Sequence, residues 1–260
     1  IVQKGKHGPY IQSQRLGLYH DYAHQLLKEG HAYRCFCTPE RLEEMRNQQI
    51  ARKQPPMYDR RCLALSPEES ENRAIAGERH VIRMKIPDGA PVSFHDEIRG
   101  TVSFHRHTID DQVLLKSDGF PTYHLAHVVD DHLMETSLVL RGEEWLSSLP
   151  KHLLLFEFFG WTPPKYAHVP LLLNADKTKL SKRQNSVAVE EYITKGYLPE
   201  ALVNFLALLG WNPGTTQELF SLAELIDAFS LDRVQKAGAI FDTQKLDWLQ
   251  GQWMRKIHAA

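Results

Sequence analysis

Apolar residues at helical spacing are prominent in the first part of the chain. Between residues 14 and 30 they recur at steps of three and four positions, which predicts one amphipathic helix. Thr38-Pro39 is an N-cap followed by a first-turn proline, and it predicts a charged helix to about Arg52. Ser66-Pro67 repeats this signal with Glu69 as the capping-box partner, so we expect another short helix there.

The pattern changes to alternation between residues 80 and 111. Apolar and polar side chains alternate over residues 80–86, which predicts a half-buried strand. Residues 92–95 and 102–105 carry the same four letters, Val-Ser-Phe-His, and are joined through Arg99-Gly100. Two adjacent antiparallel strands explain this similarity, and a repeat protein is not required.

A strand, a helix and a second strand follow one another in the second half of the chain. Residues 137–140 form a predicted strand that stops at Arg141-Gly142, and an apolar helix is predicted over 148–160. A second strand is predicted over 169–173. This order with short links is typical of a parallel crossover unit.

The remainder of the chain, from Lys195 onward, has a helical pattern throughout. Helix starts are predicted near Pro199, Ser221 and Asp242, and Ser221 has Glu224 as its capping-box partner. The sequence therefore predicts an α/β protein with a small helical bundle in its C-terminal third.

The composition excludes several classes of protein. Thirty-one Lys and Arg against 32 Asp and Glu give 31 − 32 = −1, so no overall field attracts RNA or an anionic membrane, and any phosphate site must be a local patch. The apolar runs are shorter than the roughly 20 residues of a membrane-spanning helix, so no membrane partner is expected. Three cysteines are too few for a disulfide framework and indicate a reducing compartment.

Two polar groups follow predicted strands in the second half. Residues 177–183, Lys-Thr-Lys-Leu-Ser-Lys-Arg, hold four cations and two hydroxyls, and form either a solvated turn or an anion site. The glycines of a Walker loop are missing. Arg141 lies where an open parallel sheet binds its ligand, and either binds a carboxylate or pairs with Glu143 or Glu144.

Three thiols and a phenol are close together in the first part of the sequence. Cys35, Cys37, Tyr58 and Cys62 form either a zinc site, which requires four ligands, or a metal-free knuckle of small buried residues. The run Asp130-Asp131-His132 is not predicted to bind a metal, because three consecutive residues on a helix cannot all face one ion.

Further segments occur in order along the chain. They are Gln-Ser-Gln-Arg-Leu at 12–16, Ala-Tyr-Arg-Cys-Phe-Cys-Thr at 32–38, Leu-Lys-Ser-Asp-Gly-Phe-Pro-Thr-Tyr at 115–123, Val-Val-Asp-Asp-His-Leu-Met at 128–134 and Lys-Leu-Asp-Trp-Leu at 245–249. With these segments, the lysine-rich run and Arg141 in place, the chain resembles the class I glutamyl-tRNA synthetases over nearly its entire length.

The resemblance implies a fold. It is an α/β fold: the second half of a Rossmann-like class I synthetase catalytic domain, with an inserted α+β acceptor-end-binding domain and a C-terminal helical stem-contact bundle. Residues 1–16 would end the first half of the nucleotide-binding fold, and residues 17–122 would form the insertion. Residues 123–176 would form the second half, and residues 177–260 the lysine-rich loop and the helical stem-contact domain.

The resemblance also implies an ATP site that works with Mg²⁺. Residues 179–183 correspond to the KMSKS signature of the class, whose lysines stabilise negative charge on the phosphates, so Lys179 and Lys182 are the expected catalytic residues. The implied ATP-binding residues are Glu144, Lys179, Leu180, Ser181, Lys182 and Arg183.

A glutamate site and a metal site are implied in the same way. The implied glutamate-binding residues are Tyr123, His124, Leu125, Ala126, His127 and Arg141. His127 stands where the family often has asparagine, and its protonation would make glutamate binding depend on pH. The set Cys35, Cys37, Tyr58 and Cys62 is similar to the zinc knuckle of the related enzyme that glutamylates a modified tRNA base, and zinc stays open. The place of the histidine found in other zinc-binding synthetases is taken by Ala64.

The implied activity is the ATP-dependent attachment of glutamate to tRNA(Glu) through a glutamyl-adenylate, by a monomer in the bacterial cytosol or the mitochondrial matrix. No His-X-Gly-His occurs in the 260 residues. We therefore expect the chain to be a central portion without the HIGH segment and the anticodon-binding region, inactive by itself.

Two alternative functions are considered. The first is a tRNA-base-modifying glutamyl transferase, which the intact run 179–183 disfavours. The second is a non-catalytic tRNA-binding module, which would have no use for the glutamate-binding residues Tyr123 and Arg141.

Overall fold

A computed structural model describes residues 4–180 and 188–258. Its helices are α1 (Leu16–Lys28), α2 (Pro39–Ala51), α3 (Pro67–Ile75), α4 (Tyr123–Leu133), α5 (Leu149–Phe158), α6 (Val189–Thr194), α7 (Pro199–Gly210), α8 (Leu222–Ala228) and α9 (Thr243–His258). Its strands are β1 (Ala32–Cys35), β2 (Val81–Met84), β3 (Val92–Asp96), β4 (Gly100–Phe104), β5 (Val113–Leu115), β6 (Leu138–Gly142), β7 (Lys165–Val169), β8 (Leu172–Leu173) and β9 (Ala239–Ile240). No helix within these ranges combines the length and apolar character needed to cross a bilayer.

The described residues form two compact units. Unit one comprises residues 4–94, 103–137 and 148–164. Unit two comprises residues 95–102, 138–147, 165–180 and 188–258. The α/β fold class is confirmed.

Unit one contains a three-stranded sheet in the order β1–β2–β5. β1 runs antiparallel to β2, with Cys35 opposite Val81, and β2 runs antiparallel to β5 with an irregularity at Ile82 and Arg83. The predicted strand over 80–86 is therefore confirmed as β2. The pattern does not predict β1 and β5, because neither short strand alternates between apolar and polar residues.

Three helices of unit one enclose its main core. α1 packs on α4 and on β5, and α4 packs on α5. Tyr19, Leu26 and Leu154 are completely buried there. Asp130 on α4 accepts hydrogen bonds from Tyr19 Oη at 2.7 Å and from Arg15 Nε at 2.7 Å, so these polar groups fix α4 against the start of α1. The helix predicted over 14–30 is confirmed as α1.

The capping signals mark two further helix starts correctly. Thr38 Oγ1 accepts from the backbone N–H of Arg41 at 3.3 Å at the start of α2. Ser66 Oγ accepts from the N–H of Glu69 at 3.1 Å at the start of α3. Each bond satisfies a donor that the first helical turn would otherwise leave unpaired.

A four-stranded sheet has the strand order β4–β3–β7–β6. β6 and β7 are parallel over five residue pairs, and this register places Arg141 beside His168. β3 joins β7 in parallel at Asp96 and Tyr166. The predicted adjacency of the two Val-Ser-Phe-His strands is confirmed. The predicted parallel pairing is confirmed for the strand that begins near residue 137, but its partner is β7 at residues 165–169 and not a strand over 169–173.

The single strand predicted over 169–173 is wrong. β7 ends at Val169, because Pro170 has no backbone N–H with which to continue the ladder. Residues 172–173 instead form β8 of a separate, two-stranded parallel sheet with β9. A Cβ on Gly238 would lie 2.6 Å from Cδ1 of Leu173, so a larger residue there would displace the Leu173 side chain.

The C-terminal part is mainly but not entirely helical. α7 and α9 pack on each other, and the buried Asn204 accepts from the N–H of Phe220 at 2.9 Å and from Nε1 of Trp253 at 3.2 Å. The capping box of Ser221 and Glu224 is confirmed at α8. The prediction of helix throughout is wrong at β9, where the backbone pairs with β8. α6 begins at Val189, before the predicted onset of the helical region.

Candidate functional site

The first turn of α4 carries the predicted glutamate-binding segment. The ring of Tyr123 stacks on that of His127, with centroids 5.1 Å and planes 3° apart, because residues four positions apart lie on one helix face. Leu125 and Ala126 are 0% and 2% exposed, and pack into the core of unit one. The side chains that can meet a ligand are therefore those of Tyr123, His124 and His127.

A histidine on α5 completes this group. His152 is completely buried, and its Nε2 lies 3.0 Å from Nδ1 of His124. Its ring also meets the ring of His127 edge-on, with centroids 4.8 Å apart. Sequence reasoning missed His152, because it lies in an apolar helix 28 residues from His124. The three imidazoles and the Tyr123 phenol give unit one a group of polar donors and acceptors.

The acidic run on α4 divides among separate partners. Asp130 binds Arg15 and Tyr19, whereas Asp131 Oδ2 lies 2.8 Å from Nδ1 of His127. The ring of His132 stacks on Trp161 with centroids 3.8 Å apart. The expectation that these residues do not share one ion agrees with this geometry.

Arg141 lies at the carboxyl end of β6 in unit two. Its Nε donates to Nε2 of His168 at 3.1 Å, and its guanidinium lies 5.4 Å from the ring centre of Tyr166 and 5.9 Å from that of Trp145. The aromatic faces attract the cation and restrict its plane. A guanidinium held in this way can bind a carboxylate with two parallel N–H donors.

His168 is bound in turn to Asp96 on β3. Its Nδ1 lies 2.6 Å from Oδ2 of Asp96, and both residues are completely buried. Neither residue is apparent from sequence spacing, since they lie 72 positions apart. The only local signal is that His168 directly precedes the predicted strand over 169–173, which follows the predicted strand that stops at Arg141.

The two glutamates after Arg141 have cationic partners of their own. Glu143 forms an ion pair with Arg99 at 2.8 Å, and its Oε1 accepts from the N–H of Leu171 at 3.1 Å. Glu144 Oε1 lies 3.2 Å from Nζ of Lys179. The structure therefore brings together two of the predicted ATP-binding residues, Glu144 and Lys179.

The described part of the lysine-rich run begins in a tight turn. Thr178 donates from its N–H to Oδ1 of Asp176 at 2.9 Å, and the N–H of Leu180 donates to the carbonyl of Leu172 at 2.9 Å. Lys179 and Leu180 therefore lie beside β8. The predicted residues Ser181, Lys182 and Arg183 lie outside the described residues.

The cysteine knuckle of unit one brings all its predicted members together. The three Sγ atoms lie within 4.8 Å of one another, and those of Cys37 and Cys62 are 3.6 Å apart. The Oη of Tyr58 lies 3.3 Å from Sγ of Cys35 and 3.3 Å from Sγ of Cys37. The hydrogen bond with Cys62, and then those with Tyr58 and Arg83, lower the pKa of Cys35 against the opposing effect of burial.

Comparisons with known proteins agree on one family. Residues 2–248 match the family described as tRNA synthetases class I (E and Q), catalytic domain. A glutamate–tRNA ligase of Chlorobium luteolum is 57% identical over 262 residues, which cover 98% of this chain and 52% of the relative. A glutamate–tRNA ligase of Clostridioides difficile is 53% identical over 98% of this chain and 52% of its own length.

Solved structures show the same likeness. A crystal structure of a glutamate tRNA ligase from Elizabethkingia meningosepticum in complex with its amino acid has a TM-score of 0.88 and 38% sequence identity, over 97% of this chain and 55% of that one. Glutamate-tRNA synthetase from Elizabethkingia anophelis has a TM-score of 0.88 and 39% identity, over 96% of this chain and 56% of that one. The chain spans about half the length of the proteins it matches.

Proposed function

Because the chain belongs to the catalytic-domain family of the class I tRNA synthetases for glutamate and glutamine, we propose that it is part of a glutamate–tRNA ligase. The 57% identity to a glutamate–tRNA ligase over 98% of this chain carries the proposal, because the family match over residues 2–248 includes both glutamate and glutamine enzymes. The complete enzyme joins glutamate to tRNA(Glu) at the expense of ATP. A carboxylate oxygen of glutamate attacks the α-phosphorus, the bond to pyrophosphate breaks, and a ribose hydroxyl of the tRNA then displaces AMP from the adenylate.

In this proposal Arg141 binds a carboxylate of glutamate. It lies at the carboxyl end of a parallel strand, which is where open α/β sheets bind their ligands. Its stacking against Tyr166 and Trp145 and its bond to His168 restrict the guanidinium before the substrate arrives. Less side-chain freedom is then lost on binding.

Tyr123, His124 and His127 provide further polar contacts to glutamate. His152 contacts the stacked pair of Tyr123 and His127, and Oδ2 of Asp131 lies 2.8 Å from Nδ1 of His127. An imidazole can donate where the family often has an asparagine amide. Leu125 and Ala126 support the segment from the core, because their side chains are buried and the N–H of Ala126 donates to the carbonyl of Thr122 at 3.1 Å.

ATP is bound by the lysine-rich loop together with Glu144. The ion pair of Lys179 with Glu144, two residues after β6 ends, supports this assignment. The proposal assigns Lys182 to the developing charge on the phosphates, Leu180 to the nucleotide, and Ser181 and Arg183 to further phosphate contacts. Mg²⁺ bound with ATP would neutralise part of the same charge.

Charging of a tRNA transcript tests the proposed activity. The complete protein, extended through its upstream and downstream coding sequence, should attach labelled glutamate to tRNA(Glu) transcribed in vitro, which carries no modified bases. A tRNA-base-modifying transferase would label only native, modified tRNA. Label on neither tRNA, with RNA binding retained, would indicate the non-catalytic module instead.

We also propose that the cysteine knuckle binds zinc through Cys35, Cys37, Cys62 and the phenol of Tyr58. Four ligands on a tetrahedral zinc, with Zn–S near 2.3 Å, place sulfur atoms about 3.8 Å apart. The separation of 3.6 Å between Cys37 and Cys62 fits this spacing. Cysteine binds zinc as the thiolate, so binding would release protons from the knuckle. The ion would supply a structural cross-link for the loops of the knuckle.

Metal analysis tests the zinc proposal. The purified protein should contain one zinc per chain, and Cys62→Ser should lose it and lower the melting temperature, because the loops would lose their cross-link. Arg61→Ala, at an exposed neighbouring position, should keep the metal and serves as the control. A zinc-free wild-type protein whose three thiols react with a thiol reagent only after unfolding would establish the metal-free knuckle.

Three further points stay predictions. They are the four-part division at residues 16, 122 and 176, the monomeric state, and the location in the bacterial cytosol or the mitochondrial matrix. The acceptor-end-binding role of 17–122 is tested by tRNA footprinting. Protection of the acceptor end, lost when that segment is altered, is the expected result.

A further inference from the structure

Arg141 is held by two buried polar residues that are hydrogen-bonded in sequence, His168 and Asp96. Its Nε donates to Nε2 of His168 at 3.1 Å, and Nδ1 of that imidazole lies 2.6 Å from Oδ2 of Asp96. His168 and Asp96 are both 0% exposed. A guanidinium has only donors, so Nε2 of His168 must be the acceptor.

The geometry determines where the imidazole proton lies. With Nε2 accepting from Arg141, the single proton of the neutral ring lies on Nδ1 and is donated to Asp96. Burial lowers the pKa of His168; the bond to Asp96 raises it, and the nearby charge of Arg141 lowers it further, so that it lies below the usual range. Burial raises the pKa of Asp96, but the bonds from His168 and from backbone N–H groups outweigh it and lower that pKa.

The carboxylate of Asp96 has a fixed orientation. Its Oδ1 accepts from the backbone N–H groups of Ile98 at 3.0 Å, Arg99 at 2.9 Å and His168 at 3.3 Å. Its Oδ2 lies 2.6 Å from Nδ1 of the imidazole. The two oxygens therefore have different tasks: one anchors the carboxylate to the backbone, and the other sets the tautomer of His168.

We propose that Asp96 and His168 are positioning residues that hold Arg141 in the orientation in which it binds a carboxylate of glutamate. The part played by Arg141 rests on the proposed function, whereas the tautomer rests on the geometry of unit two. The bond at Nε fixes the guanidinium plane, so that its Nη donors present a defined edge to a planar carboxylate. The remaining groups at His168 are Arg99, whose Nε donates to the His168 carbonyl at 3.2 Å, and the ring of Tyr166 stacked at 6.3 Å.

Asp96→Asn tests this arrangement with almost no change in shape. The backbone donors at Oδ1 require the asparagine oxygen there, so its NH₂ group must face Nδ1 of His168. The imidazole proton then moves to Nε2 and opposes Nε–H of Arg141, donor against donor, as a wrong tautomer does in a catalytic triad. In the complete protein we expect a glutamate KM roughly tenfold higher, with kcat and the ATP KM within about twofold.

A second substitution separates positioning from general damage. In His168→Gln, with Asp96 intact, the side-chain amide can donate from its NH₂ to Oδ2 of Asp96 and turn its oxygen toward Nε of Arg141, so the glutamate KM should stay near the wild-type value. A merely structural role of the buried pair would raise the KM in His168→Gln at least as much as in Asp96→Asn. Asp227→Asn, at an exposed position of unit two, is the matched control and should leave the KM unchanged.

Histidine ¹⁵N spectra of the complete protein provide a readout independent of activity. The signal that disappears in His168→Gln should show the Nδ1–H tautomer in the wild type and the Nε2–H tautomer in Asp96→Asn. An Nε2–H wild-type signal, or an unchanged glutamate KM in Asp96→Asn, would overturn the positioning proposal. A wild-type protein that shows the Nδ1–H tautomer but does not activate glutamate would instead refute the proposed function.

Discussion

Replacement of Arg141 by alanine should raise the glutamate KM of the complete protein by about 30- to 150-fold, which corresponds to roughly 2 to 3 kcal/mol for a charge-assisted bond. The carboxylate would lose its planar, two-donor partner, and Nε2 of His168 would lose the donor 3.1 Å away. The ATP KM should change by less than about twofold, because the substitution removes a contact to glutamate and none to the phosphates. Glutamate titrations of ATP–pyrophosphate exchange measure both constants.

Two comparison variants sharpen this result. Arg141→Lys keeps the charge but loses the fork and the Nε donor, so its glutamate KM should lie between those of the wild type and the alanine variant. Lys165→Ala, which removes an exposed cation from the neighbouring strand, should have no effect. An unchanged glutamate KM in Arg141→Ala would remove this arginine from the amino-acid site.

Lys182→Ala should lower kcat for glutamate activation by roughly 100- to 1000-fold, the usual cost of losing one preorganised donor to a developing charge. Glutamate binding should be nearly unchanged, because the ammonium stabilises the phosphates in the transition state and not the amino acid in the ground state. Single-turnover formation of the adenylate, measured over a range of glutamate concentrations, separates the two constants.

Lys177→Gln is the control for this experiment. It removes a cation from the same lysine-rich run at an exposed position before the signature residues, and should retain most of the activity. A Lys182→Ala protein with weakened glutamate binding and an unaltered rate would contradict the role assigned to Lys182.

Local signals predict the helices well and the sheet edges poorly. The starts of α2, α3 and α8 are each predicted by an N-cap hydroxyl and one residue shortly after it. These signals are local, so the sequence alone is enough to predict them. The prediction of one strand over 169–173 failed at Pro170, because this short apolar run contains the end of β7 and the start of β8, which belong to different sheets. β9 depends on β8, more than 60 residues away, and no local pattern reveals that pairing.

The candidate site divides in the same way. Arg141 is visible because it follows a strand where open parallel sheets bind ligands, and the lysine-rich run because it holds four cations in seven residues. The resemblance then adds their roles. Asp96, His152 and His168 are invisible to spacing, since each contacts its partner across a sheet or between helices. Burial of these polar residues is the observation that identifies them, and burial is known only once the chain is folded.

The most direct test of the central claim is glutamate-dependent ATP–pyrophosphate exchange in the presence of tRNA, with this chain beside the protein extended through its upstream coding sequence. The proposal predicts exchange only in the extended protein, because this chain supplies Arg141 and the lysine-rich loop and the upstream sequence supplies the HIGH segment. Exchange in neither protein, with tRNA binding retained, would contradict the claim and leave a non-catalytic tRNA-binding module.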